Sequence, residues 1–152
     1  MRVNVKQISV VMSNEPGSVL RMARVLSARK IDMRALTVAE SSTFSTVRLI
    51  VDNVLWASSV LKEAGFTVSL NDVTAIEVPD VPGGLTKVLE VLDTEGINIE
   101  YMYEIQGRKI PMSLGGGGMS LLVFRLNDND KAVSAFIDEG IRVLGQGELS
   151  AV

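Results

Sequence analysis

Asn14-Glu15-Pro16-Gly17 and, 66 residues further on, Asp80-Val81-Pro82-Gly83 each stand between an alternating apolar segment and a helical apolar stripe. Ile31-Asp32 and Ile97-Asn98 follow the two stretches at that same spacing. Later landmarks shift: Ala57, Gly65 and Val68 match Ala132, Gly140 and Val143 at 75 residues, so the second copy is nine residues longer in its middle. The chain is therefore a small unit written twice, with Pro-Gly at a strand-to-helix junction in each copy.

Working outward in the first copy, Lys6 to Met12 alternates with Ile8, Val10 and Met12 on one face, which predicts a half-buried strand. Val19, Met22, Ala23 and Leu26 then fall on a helical stripe. Met33–Ala39 and Thr46–Val51 read as strands joined by the turn Ser41-Ser42-Thr43. Ala57, Val60, Leu61 and Ala64 make a second stripe, Gly65 stops it, and Thr67–Leu70 is a short last strand. The second copy repeats the order from Thr74–Val78, with Leu85, Val88, Leu89 and Leu92 on its first helix and strands at Ile99–Ile105 and Ser120–Leu126. Each copy thus predicts an α+β, ferredoxin-like βαββαβ unit, an antiparallel sheet with helices on one face. The expected domains are 1–71 and 72–152, joined by Asn71-Asp72-Val73 with no flexible linker. A glycine-rich insertion, Gly107 to Met119, is expected to form a mobile hairpin extension; a flap using Ile110, Met112, Leu114 and Met119 is the alternative.

Composition excludes much chemistry. The 152 residues contain no His and no Cys, so a Ser-His relay, a thiolate nucleophile and the usual zinc sites are absent, and no cofactor or metal is expected. A net charge of −3 without a long basic cluster argues against nucleic acid. RNA recognition on this topology needs aromatic residues on the first and third strands, where Ile8-Ser9-Val10-Val11 and Val47-Arg48-Leu49-Ile50 carry none. No apolar run approaches the ~20 residues that cross a bilayer, and the start lacks a secretory stretch, so no membrane partner and a cytoplasmic location are expected.

The Pro-Gly junctions are the candidate ligand sites. Pro16 and Pro82 hold the entering chain extended, and Gly17 and Gly83 leave the backbone open where the helix begins. Bare N–H groups at such an end attract an anion, worth roughly 0.3–2 kcal/mol from the dipole, and a free amino acid's carboxylate suits them. Its ammonium group would need acceptors, which Asn14 and Asp32 in copy one, or Asp80 and Asn98 in copy two, can supply. Helix capping is the competing role for these residues. Tyr101 and Tyr103 with Ile99 and Ile105 alternate onto one strand face, expected to pack rather than to stack on a ligand. Trp56 is expected to pack as well.

The pattern strand-Asn14-x-Pro16-Gly17-helix followed by Ile31-Asp32 resembles the ACT domain, and both copies share the resemblance from Lys6 to about Leu149. Ala35-Leu36-Thr37-Val38-Ala39-Glu40, Phe66-Thr67-Val68 and Ile99-Glu100-Tyr101-Met102-Tyr103 look like free-standing tandem ACT proteins. The resemblance implies a regulatory, allosteric, non-enzymatic protein that binds a small amino acid at the interface between ACT units, forms a homodimer and acts on an enzyme of amino-acid metabolism. Carried over by position, the ligand contacts are Asn14, Pro16, Gly17, Ser18, Asp32 and Met33, with Asp80, Pro82, Gly83, Gly84, Asn98 and Ile99. Asp32 stands where many ligand-binding members carry Asn, and Asp80 where copy one has Asn14. The alternatives are a ligand-free dimerisation module, or a small acid-base enzyme using Asp32, Glu100 or Glu104 with Arg48 as a clamp.

Overall fold

Residues 5–150 are described by a computed structural model, whose element order is β1 (Val5–Ser13), α1 (Ser18–Ala28), β2 (Met33–Glu40), β3 (Phe44–Val51), α2 (Val54–Glu63), β4 (Thr67–Pro79), α3 (Gly84–Thr94), β5 (Ile99–Lys109), a 3-10 turn (Met112–Leu114), β6 (Gly118–Leu126), α4 (Asn129–Asp138), β7 (Arg142–Leu144) and α5 (Gln146–Ser150). Two compact units result, Lys6–Asn71 and Asp72–Ser150, the latter also taking Val5. In the first, the strands lie in the order β2-β3-β1-β4; in the second, β5-β6-β4-β7. Each is a ferredoxin-like sheet with two main helices. No described helix is long and apolar enough to cross a membrane.

Each unit has its own core. In the first, Ile8, Val10 and Met12 of β1 and Val47, Leu49 and Val51 of β3 meet Met22, Leu26 and Leu61 from the helices. In the second, Ile76, Val78, Leu122, Phe124 and Leu126 meet Val88, Leu92 and Phe136, with the Phe124 and Phe136 rings 6.3 Å apart. These are the faces that alternation and helical spacing predicted. Asn53 and Asp128 cap α2 and α4 by accepting from the backbone N–H of Trp56 and Lys131. That placement leaves Trp56 exposed rather than packed, and Leu85 of α3 also faces outward.

Two further expectations change. The strands expected at Thr67–Leu70 and Thr74–Val78 are one continuous strand, β4. Its polar middle does not break it, because Asn71 accepts from the Ser9 hydroxyl while the Asp72 carbonyl accepts from Arg125 and from Asn129. Secondly, a register shift between Ile99 and Tyr101 turns Ile99 into the core and leaves Tyr101, Tyr103 and Ile105 paired with Arg125, Val123 and Leu121 on the other face. A bulge reverses side-chain alternation, which period-two counting does not see. The insertion extends the β5–β6 hairpin, as expected, and has a closed hydrogen-bond pattern. β5 runs on to Lys109, Ile110 donates to Gly117, and Gly115 donates to Met112 across the 3-10 turn.

Candidate functional site

The two Pro-Gly junctions fold alike. Glu15 donates to the Ser13 carbonyl and Val81 to that of Pro79, sharp reversals that end β1 and β4. Gly17 and Gly83 follow as helix N-caps with φ of 89° and 86°, the left-handed region that side chains with a Cβ avoid. A Cβ would meet nothing within 4 Å at either, so backbone conformation is what demands glycine there. No side chain caps α1 or α3. Ser18 and Gly84 donate their N–H groups to the Glu15 and Val81 carbonyls, and the remaining first-turn N–H groups stay available to a ligand or water. Gly84 is required for a different reason, since its Cβ would lie 2.6 Å from the Pro79 carbonyl oxygen.

Asn14 and Asp32 do not meet within the first unit. Asn14 sits at the start of β3, where its side-chain oxygen accepts from Ser45 Oγ and its N–H donates to Thr43. Asp32 sits at the end of β3, where its N–H donates to Asp52 Oδ1, its carbonyl accepts from Asp52, and its carboxylate pairs with Arg34 at 3.0 Å. The two positions are roughly 20 Å apart along the strand. Asp80 and Asn98 are separated in the same way: Asp80 donates to Gly118 at the beginning of β6, and Asn98 is clasped by Asn127 just beyond its end. Within one unit, neither pair can hold both ends of one small ligand. Met33 and Ile99 pack against their cores.

The second unit carries a cleft of about 650 Å³ beside its Pro-Gly junction, lined by Pro82, Gly83 and Gly84 but not by Asp80, Asn98 or Ile99. Its apolar walls include Val78, Val81, Val88, Met119 and Ile141, and its charged groups are Glu77, Lys87, Arg108 and Arg142. The Glu77 carboxylate is buried and accepts from Arg108 Nε and Nη2 at 3.2 Å and from Arg142 Nη1 at 3.0 Å. Burial pushes its pKa up, but hydrogen bonds from the two guanidinium groups and their charges outweigh that and hold it below the ordinary value. Arg142 also pairs with Glu148, and its own pKa is raised, chiefly by its hydrogen bond to Glu77. Arg108 comes from the glycine-rich insertion, so the insertion builds one wall of the cleft.

The first unit has a counterpart of about 440 Å³, lined by Glu15, Ser18, Arg21, Phe44, Phe66 and Thr67 among others. Arg21, which corresponds to Lys87, lies over the Phe66 ring at 4.0 Å and donates to the Ala64 carbonyl. Val11 and Thr67 stand where the second unit has Glu77 and Arg142. Sequence reasoning missed Glu77, Lys87, Arg108 and Arg142. The available signal was a carboxylate at Glu77 in an otherwise apolar strand. Of the acid-base candidates, Glu100 is half-exposed and paired with Arg125 at 3.3 Å.

A comparison with curated proteins found no match. Among solved structures, a Bacteroides thetaiotaomicron protein is similar at 31% identity and a TM-score of 0.87, over 99% of this chain and 98% of that one. Regulatory subunits of aspartate kinase from Thermus thermophilus, in ligand-free form, and from Thermus flavus share the fold at 16% and 14% identity. Their TM-scores are 0.62 and 0.59, each over 90% of this chain and 93% of the other. The family model described as an ACT domain pair matches residues 3–152, and the chain belongs to that family.

Proposed function

We propose that this chain is a regulatory protein that binds a small free amino acid and, by doing so, changes the behaviour of a partner in amino-acid metabolism. The observation that carries the reading is the second unit's junction, where an uncapped helix start behind a left-handed glycine opens onto a cleft with cationic groups and apolar walls. Such an end favours a carboxylate, and the walls provide for a side chain. ACT domains are regulatory modules, and the aspartate kinase subunits that share this fold suggest an enzyme as the regulated partner. A coupled partner must alter the amino acid's affinity by the same factor by which the amino acid alters the partner's.

A thermal-shift series with each of the twenty amino acids tests the reading. At a concentration of ~100 times its dissociation constant, an effector stabilises the folded chain by about 2.7 kcal/mol. The chain should respond to one amino acid or to a small chemically related group. Absence of any shift across the series would leave a ligand-free association module as the better description.

A further inference from the structure

The twofold repeat allows each residue of one cleft to be set against its counterpart in the other, and the charge differs at every charged position except that of Arg21 and Lys87. Around the second cleft stand Lys87, Arg108 and Arg142 with one buried carboxylate, Glu77. The Lys87 ammonium has no hydrogen-bond or ion-pair partner among the described residues, and Arg108 uses Nε and Nη2 on Glu77 while leaving Nη1 unengaged. Arg142 is shared with Glu148, and the cleft still holds more positive charge than Glu77 and Glu148 neutralise, beside apolar walls that include Val78, Val88, Met119 and Ile141. The Glu77 carboxylate, already accepting from two guanidinium groups, fixes Arg108 and Arg142 in place without cancelling Lys87.

The first cleft lacks counterparts of Glu77, Arg108 and Arg142, and it keeps one matching cation. Its cation, Arg21, is committed to the face of Phe66 and to the Ala64 carbonyl. Glu15 lines it where the second unit has Val81, placing a negative charge at the mouth of the helix start. Thr67 replaces Arg142, and the tight turn between β2 and β3 provides no counterpart of Arg108.

We infer that only the second unit's cleft is a ligand site, and that it takes one compact aliphatic acid per chain, with the ligand's carboxylate on Lys87 and Arg108. The inference rests on the reading above for the identity of the ligand as an amino acid, but the chemistry it names, a carboxylate on a short branched apolar tail, is shared by an aliphatic amino acid and by its 2-oxo acid. Apolar walls without a free acid or amide at their centre disfavour a second charged group on the ligand's tail. Lys87 and Arg108 are thereby specificity-determining residues supplied by α3 and by the glycine-rich insertion.

Calorimetric titration of the intact chain with L-leucine, L-valine, 4-methyl-2-oxopentanoate, L-aspartate and L-lysine separates the outcomes. The expected result is one saturable site per chain for an aliphatic acid, weakened at least tenfold by Lys87→Met and by Arg108→Met, and changed less than twofold by Arg21→Met. Both second-unit variants keep the apolar stem, and unliganded melting curves verify that they fold. Two sites per chain, binding confined to aspartate or lysine, or loss on Arg21→Met but not on Lys87→Met would overturn the inference while leaving amino-acid binding intact. One Lys87-dependent site for 4-methyl-2-oxopentanoate with none for any amino acid would uphold the inference and overturn the amino-acid reading. Silence from all five probes overturns the inference, and the twenty-amino-acid series then decides the wider reading.

Discussion

The clefts of the two units share a backbone and almost nothing else. Both begin with a proline-held reversal, a left-handed glycine and an uncapped helix, and both are closed by the turn after the unit's second helix. Yet one is organised around a buried carboxylate gripped by two arginines, and the other around an arginine lying on a phenylalanine. Backbone geometry that depends on Pro-Gly survives duplication because any other residue is strained there. Side chains that line the cleft are free to diverge, so function is to be sought where the copies differ and fold where they agree.

The largest separation between the units is expected from Glu77→Ala against Val11→Ala. Removing a buried carboxylate from between two cations costs 3–5 kcal/mol when both partners are buried. Here the guanidinium groups are 67% and 51% exposed, so about 2 kcal/mol is expected. Val11, already 41% exposed, should cost less than about 1 kcal/mol. Urea unfolding can follow the units separately, because the single tryptophan, Trp56, lies in the first and both tyrosines, Tyr101 and Tyr103, in the second. An equal loss at both sites would erase the distinction between the clefts.

Next comes Gly84→Ala against Ser18→Ala. The added methyl at Gly84 meets the Pro79 carbonyl at 2.6 Å, and the helix must move to relieve it, at about 1–3 kcal/mol. Ser18 already carries a Cβ at the matching place and makes no cap, so its change should stay within about 0.5 kcal/mol. A neutral Gly84→Ala in thermal unfolding would mean the strand-to-helix junction is looser than described.

A smaller, pH-dependent difference follows from Glu77. Its carboxyl titrates below the ordinary value in the folded chain, so the stability it contributes is present above the unfolded value and is lost as pH falls through the folded one. Unfolding of wild type and Glu77→Gln should differ at pH 7 and converge well below pH ~4. The tyrosine signal should carry the change, and a difference that persists unaltered into acid would remove charge as its cause. Smallest of all, Asn53→Ala and Asp128→Ala should each cost about 1 kcal/mol, since both cap their helices in the same way. A large inequality there would show that the units differ beyond their clefts.

Most of the fold was legible because periodicity and punctuation agree in this chain. The stripe Val19, Met22, Leu26 and the alternation Val47, Leu49, Val51 point at the cores they build. The unity of β4 was hidden because Asn71-Asp72 looks like a turn until long-range partners at Ser9, Arg125 and Asn129 are known. The site was legible only in its backbone. Pro82, Gly83 and Gly84 line the second cleft, while of the acceptors expected to complete it Asp80 lies beside it without lining it and Asn98 stands at the far end of β6. Spacing in sequence does not reveal that α1 and α3 carry the chain back across the sheet before β2 and β5 begin. Arg108 and Glu77, 31 residues apart, meet only through the folded hairpin.

The thirteen residues of β4 have a consequence for how such a chain can be cut or inherited. A protease working on loops finds no loop between Asn71 and Asp72, only the middle of a continuous strand, where the Asp72 carbonyl is already engaged. Splitting the gene there would divide β4 between two products, Thr67–Asn71 going with the first copy and Asp72–Pro79, with its ladders to β6 and β7, going with the second.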